Sequence, residues 1–293
     1  MLRALAVRFW RTVRRLLREA FSGRPGIMLS AAGGVCVIFD THAHYDDKAF
    51  DRDRDELLSS LPSRGVGLVV DPGCTVDSSR AAVALAERYP HVYAAVGIHP
   101  EDCAGAGDAA FAAIRKLAGH PKTVAIGEIG LDYYWEQNPP REFQQMVFRR
   151  QLALARELEL PVIIHDREAH GDTLAIVREF PEVRGVFHCY SGSPEMAEEL
   201  IRRGWYLGFD GPVTYKNARR APETAAAAPL ERIVIETDSP YMAPVPNRGK
   251  RNDSTNLTYV VEKLAEWKGV SPEEMEAITW RNGLRLFGLE GRV

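Results

Sequence analysis

From Val35 onward the chain alternates short apolar runs rich in strand formers with longer stretches of helical periodicity. That alternation is the pattern of repeated βα units around a parallel sheet. Eight strands are predicted, over residues 37–40, 67–70, 92–96, 123–126, 162–164, 185–187, 205–209 and 233–235. The clearest helix covers 142–159, where Phe143, Met146, Val147, Leu154 and Leu158 fall on one face. Others are predicted over 52–61, 79–87, 109–118, 173–179 and 194–203. The seventh connection is the weakest, because Pro222 and Pro229 confine any helix to the alanine-rich stretch between them. Two helices, over 257–268 and 272–287, close the chain, the second capped by Ser271 with Pro272 at its first position.

Eight βα units allow a closed barrel or an open doubly wound sheet. The residues that end the strands decide between them. Nearly every apolar run is followed by a ligand-grade or acidic side chain: His42 and His44, Asp71, His99, Glu128, His165, His188, Asp210 and Asp238. In a barrel these ends converge on one face. In an open sheet they would spread along a line too long for one site. The expected architecture is therefore an α/β fold, a single (β/α)8 TIM-barrel-like domain over 35–293, a size such barrels commonly reach.

Residues 1–34 stand apart. Seven arginines between Arg3 and Arg24 are opposed only by Glu19, while Leu5, Phe9, Val13, Leu16 and Ala20 keep helical spacing. This is a basic amphipathic extension. It reads as a targeting or surface-binding helix, as an arm docked on the barrel, or as the product of a start assigned too early, with Met28 as the true beginning; the last is preferred. No apolar run approaches the roughly 18 residues of a membrane span, so no stable span is expected.

The formal charge of −3, from 37 Lys and Arg against 40 Asp and Glu, argues against coating a duplex through a broad basic face. Any nucleic-acid contact should be local. The four cysteines, Cys36, Cys74, Cys103 and Cys189, form no C-x-x-C pair and fit a reduced, cytoplasmic setting.

His42 and His44, two apart at a strand end, point to the same side, a spacing that suits two imidazoles on one metal or an ordinary structural pair. Glu128 follows an apolar strand and is flanked by Gly127 and Gly130, which permit close approach by other groups. His165, His188 and Asp238 each end a strand, and each alone could be a core histidine or a cap. Together they make four histidines, one Glu and one Asp at the same barrel face. This is a donor set accepted by Zn, Mn, Ni or Fe, with Mg and Mn favoured by the carboxylates. Arg248, Lys250 and Arg251 form the dense basic cluster outside the extension, in the loop after the eighth strand, where they could meet phosphate or simply face solvent.

The blocks Asp40-Thr41-His42-Ala43-His44, Gly97-Ile98-His99-Pro100, Gly127-Glu128-Ile129-Gly130-Leu131-Asp132, His188-Cys189-Tyr190-Ser191-Gly192, Glu236-Thr237-Asp238-Ser239-Pro240 and Arg248-Gly249-Lys250-Arg251-Asn252 occur in this order over residues 37–287. In this the chain resembles the TatD-type metal-dependent deoxyribonucleases. The resemblance implies a site for two divalent metal ions (Mg, Mn or Zn): His42, His44 and Asp238 on one, His165 and His188 on the other, and Glu128 between them. It implies hydrolysis of DNA phosphodiester bonds by a metal-activated water, from the 3′ end of single strands, with Glu128 and Asp238 catalytic. His99, Arg167, Arg248, Lys250 and Arg251 become candidate substrate-binding residues, Arg167 because the family also carries an Arg there. Tyr190 departs from the Phe of many relatives, and a proline usual after the basic motif is replaced within 253–255. Alternatives are deacylation of aminoacyl-tRNA and hydrolysis of a small cyclic amide or lactone. The latter enzymes often bridge their metals with a modified Lys where this chain has Glu128. A scaffold that had lost catalysis would be expected to have lost ligands, and all six are present.

Overall fold

The computed structural model describes residues 28–29, 35–36 and 38–293. The extension expected over 1–34, apart from residues 28–29, and Val37 of the first strand lie outside the described residues. Residues 28–29 pair antiparallel with 35–36. Eight parallel strands then follow in consecutive order around one sheet. They are β1 (Ile38–Asp40), β2 (Val66–Pro72), β3 (Val92–Val96), β4 (Thr123–Asp132), β5 (Val162–Arg167), β6 (Gly185–Phe187), β7 (Tyr206–Phe209) and β8 (Ile233–Ile235). The ring closes just beyond β1 and β8, where Thr41 N donates to Ile235 O (3.1 Å), Asp238 N to His42 O (2.9 Å) and His44 N to Ser239 O (2.7 Å). The expected TIM barrel is present.

The helices are α1 (Arg54–Ser60), α2 (Val76–Arg88), α3 (Asp108–Ala118), α4 (Arg141–Leu158), α5 (His170–Arg178), α6 (Pro194–Arg202), α7 (Arg220–Ala227), α8 (Leu257–Lys268) and α9 (Pro272–Leu286). Ser271 caps α9 as expected, accepting from Glu274 N, with Pro272 at the start. Two expectations need correction. Helix α7 begins before Pro222 rather than after it. Pro222 sits third in the helix, where its missing N–H has no intrahelical partner to lose. On α4, Met146 faces solvent, while Gln144 and Gln151 are buried. Both glutamines bond barrel backbone: Gln151 bridges Ile98 N and O, and Gln144 bridges Asp132 N and O.

Alternate strand residues fill the barrel interior, among them Phe39, Leu68, Val70, Tyr93, Ile163, Val186 and Val234. Trp280, Leu284 and Phe287 of the C-terminal segment pack on the same cluster, with the Trp280 and Phe287 rings 6.0 and 5.8 Å from Phe39. The closest approach needs Gly283, since a Cβ there would fall 2.4 Å from Phe39 Cδ1. This apolar plug leaves the opposite mouth, at the C-terminal strand ends, for polar groups. Among the described residues no helix is long and apolar enough to cross a membrane.

Candidate metal centre

Glu128 reaches the mouth through an irregularity in β4. Ile126 pairs with Val162 and Ile129 with Ile164, so three steps on β4 oppose two on β5. The extra residue is a bulge, which re-aims a side chain at the end of a ladder. The strand expected over 123–126 continues through the bulge to Asp132. Flanking glycines make the contact possible. A Cβ on Gly127 would lie 2.7 Å from Ile163 Cβ, and one on Gly130, at φ +145°, would lie 1.9 Å from His165 O.

One Glu128 oxygen, Oε2, faces His42 Nε2 at 3.3 Å and His44 Nε2 at 3.5 Å. Those two nitrogens are 3.0 Å apart, and each is 3.6 Å from Asp238 Oδ1. The other oxygen, Oε1, lies 2.9 Å from both His165 Nδ1 and His188 Nε2, which are themselves 3.3 Å apart. The six side chains expected to hold metal therefore meet at one place. Groupings close enough to share an ion are His42 with His44 and Glu128, His42 with His188 and Asp238, and His99 with Glu128 and His165.

Hydrogen bonds outside this cluster fix which nitrogens can donate a lone pair. His44 Nδ1 lies 3.0 Å from Pro72 O, and a carbonyl can only accept, so that nitrogen carries a proton and Nε2 is the one that offers a lone pair once the ring is neutral. His165 Nε2 lies 3.0 Å from Asp132 Oδ2, which likewise leaves Nδ1, toward Glu128, as the nitrogen that offers a lone pair once the ring is neutral. Imidazole nitrogens that can give up a proton and carboxylate oxygens converging in a buried pocket are the chemistry of a divalent-cation site, so the donor set fits a metal.

In the metal-free fold protons take the cation's place. Burial alone would raise the Glu128 pKa, but the charges of His188, His42 and His99 and the hydrogen bond from His165 hold it well below the carboxylate range. Asp238 is also lowered, its hydrogen bond to His44 and the charges of His188 and His42 outweighing burial. His165 is raised to about 9, its bonds to Asp132 and Glu128 overcoming burial. Protons and divalent ions would compete for the same lone pairs.

Several neighbours were not assigned from sequence. Asp40, fully buried, accepts from His42 N, Thr237 N, Thr237 Oγ1 and Ser254 Oγ, tying the ends of β1 and β8 to the basic loop. Glu236 accepts from Cys189 N and stands 3.6 Å from His188 Nδ1. Cys74 Sγ lies 4.0 Å from both His44 Nδ1 and Glu128 Oε2. Asp132 and Glu236 lie inside the sequence motifs, so their presence was visible, whereas their direction toward histidine nitrogens was not. Asp71 and Asp210 are buried with pKa values well above the carboxylate range, through burial first, and join none of the metal groupings.

The substrate candidates divide. His99 Nδ1 accepts from Glu101 N, so its Nε2 carries hydrogen and faces Glu128 Oε1 at 3.5 Å. Arg167 is exposed and lies over the Tyr134 ring at 4.0 Å and the Trp135 ring at 5.3 Å. Arg248 is exposed and covers Tyr215 at 4.3 Å, and Lys250 Nζ donates to Asn247 Oδ1 at 3.3 Å. Arg251 is turned elsewhere: its guanidinium forms a two-point bond to Asp53 at 2.7 and 2.6 Å and another to Ala49 O.

Residues 39–288 match the family described as TatD related DNase. The chain is 42% identical over 253 residues to the Bacillus subtilis protein YabD, named an uncharacterized metal-dependent hydrolase, covering 86% of this chain and 99% of that one. It is 36% identical over 260 residues to the Cronobacter sakazakii protein named 3′-5′ ssDNA/RNA exonuclease TatD, covering 85% and 97%. The crystal structure of YJJV, a TatD homologue from Escherichia coli K12, superposes with a TM-score of 0.81 at 31% identity, over 86% of this chain and 98% of that one. With the barrel and the converging histidines and carboxylates already in place, these likenesses establish that the chain belongs to the TatD family of metal-dependent hydrolases.

Proposed function

We propose that this chain is a nuclease that removes nucleotides from the 3′ end of single-stranded DNA in the cytoplasm, using two divalent ions, Mg, Mn or Zn. The observation that carries the reading is Glu128, whose two oxygens face two separate imidazole sets at 2.9–3.5 Å. His42, His44 and Asp238 would hold one ion and His165 and His188 the other, with Glu128 shared. When bound, such a pair supplies Lewis-acid charge to a phosphoryl oxygen and lowers the pKa of water.

The remaining work falls to the chain's own groups. Asp238, kept ionised, orients the attacking water and accepts its proton. His99 Nε2–H is a donor for a phosphate oxygen. Arg248 and Lys250 stand in the loop that follows β8, and Arg167 in the segment that follows His165, where they meet the nonbridging oxygens as charge builds there. Arg251 is left out, because its bond to Asp53 already occupies it. Tyr134 and Trp135 beside Arg167 offer π-faces on which unpaired bases can stack, a mode that favours single strands. The family relative named for 3′-5′ exonuclease action supports the polarity. The test is digestion of single-stranded DNA by the purified protein with Mg or Mn, against Glu128→Ala. Shortening from the 3′ end, lost in the variant, supports the reading; equal activity in both preparations refutes it.

A further inference from the structure

Among the described residues, the large exposed hydrophobic side chains are Tyr134, Trp135, Met146, Tyr241, Met242 and Val245. All but Met146 lie in the loops that follow β4 and β8. In a ring of eight strands in consecutive order, β4 and β8 stand on opposite sides of the mouth. The metal centre lies between two apolar shelves, and the second belongs to the loop that carries Asp238.

This second shelf is preformed. Tyr241 is 55% exposed, yet its N–H bonds Asp238 O at 2.8 Å and its hydroxyl bonds Asp47 Oδ2 at 3.1 Å. Met242 O passes so close to Gly211 that a Cβ there would sit 1.7 Å away. Val245 N is bonded to Thr214 Oγ1 at 2.8 Å. An ordered aromatic left in water three residues from a catalytic carboxylate, with the exposed cation Arg248, stacked over Tyr215, in the same loop, is the pairing of π-face and positive charge that a nucleotide needs.

We propose that Tyr241, with Met242 beside it, forms a nucleobase subsite across the mouth from Tyr134 and Trp135. The reacting phosphodiester is then held between two stacked bases, and a dinucleotide is the smallest substrate used efficiently. This rests on the nuclease reading and adds a binding site to it.

The test compares kcat/KM of the Mn-loaded full chain on dithymidine monophosphate and on the 3′- and 5′-methyl phosphodiesters of thymidine, each of which has one base. Stacking of one base on each shelf predicts that wild type prefers the dinucleotide over each of the two esters by about tenfold or more. Tyr241→Ala should erase the preference over one of the two esters, and Tyr241→Phe, which keeps the ring and loses the Asp47 bond, should retain it. Bound metal should be the same in all three proteins. The subsite is overturned if Tyr241→Ala keeps both preferences, if Tyr241→Phe is as defective as the alanine variant, or if the alanine variant loses metal. A wild-type protein that cleaves all three substrates equally overturns the subsite and leaves the nuclease reading standing; one that cleaves none overturns both.

Discussion

Asp132→Asn tests the role of a residue outside the donor set in preparing a proposed metal ligand, His165. In the native structure Asp132 Oδ2 lies 3.0 Å from His165 Nε2, while Oδ1 accepts from Tyr134 N (2.9 Å) and Asn138 Nδ2 (3.0 Å). An asparagine has one acceptor oxygen. Two N–H donors claim it, so the amide NH2 is left facing His165 Nε2. To accept from that NH2 the ring must move its proton to Nδ1, the nitrogen 2.9 Å from Glu128 Oε1. The lone pair meant for a cation is then gone. Loss of such a carboxylate–histidine contact costs about 10–100-fold in metal affinity, or roughly 1.4–2.8 kcal/mol. Above about pH 9, where His165 is neutral, the metal-free fold should be nearly untouched, because the loop bonds to Oδ1 survive and Gln144 still holds the Asp132 backbone. Calorimetric titration of metal-free protein with Mn, beside thermal melting without metal, separates the two effects. Wild-type affinity in Asp132→Asn would refute the tautomer argument, and a collapse of the metal-free Tm would show that the residue is chiefly structural.

Three further outcomes are expected. His165 is raised to about 9 in the metal-free fold, so its protonation stabilises that fold fully below about 6.5 and the contribution is lost as pH rises through about 9; metal-free Tm should fall between pH 6.5 and 9 while metal-loaded Tm does not, and parallel profiles would refute this. Gly130→Ala would place a Cβ 1.9 Å from His165 O at φ +145°, so denaturant melts should show a loss of more than about 2 kcal/mol together with weakened metal binding; a loss below about 0.5 kcal/mol would contradict the close approach. Arg248→Ala should raise KM for single-stranded DNA and reduce the slope of affinity against salt by about one. Arg251→Ala should leave KM within about twofold and, as a half-exposed ion pair with Asp53, change stability by less than about 1 kcal/mol; the opposite ranking would return Arg251 to the phosphate site.

The barrel was legible because both faces of its strands are buried, which writes each strand as a short apolar run, and because a ligand-grade residue marks nearly every strand end. The donor types were legible for the same reason. Direction was not. Nothing in the run around Glu128 announces that a bulge, rather than the end of a strand, aims its carboxylate at two imidazole sets. Arg251 looks like its neighbours in sequence; only the fold brings Asp53, nearly two hundred residues earlier, against it. Gln144 and Gln151 read as polar positions on a helix, yet both are buried because strand-end backbone needs partners there. Pro222 misled in the other direction, since a rule about helix interiors does not hold in the first turn.

The most direct measurement is the number of ions bound per chain, by elemental analysis of wild type and Glu128→Ala after equilibration with Mn and removal of free metal. With one carboxylate serving two imidazole sets, wild type should hold two ions and the variant one or none. A single ion in wild type, or two retained without the Glu128 carboxylate, would contradict the shared site.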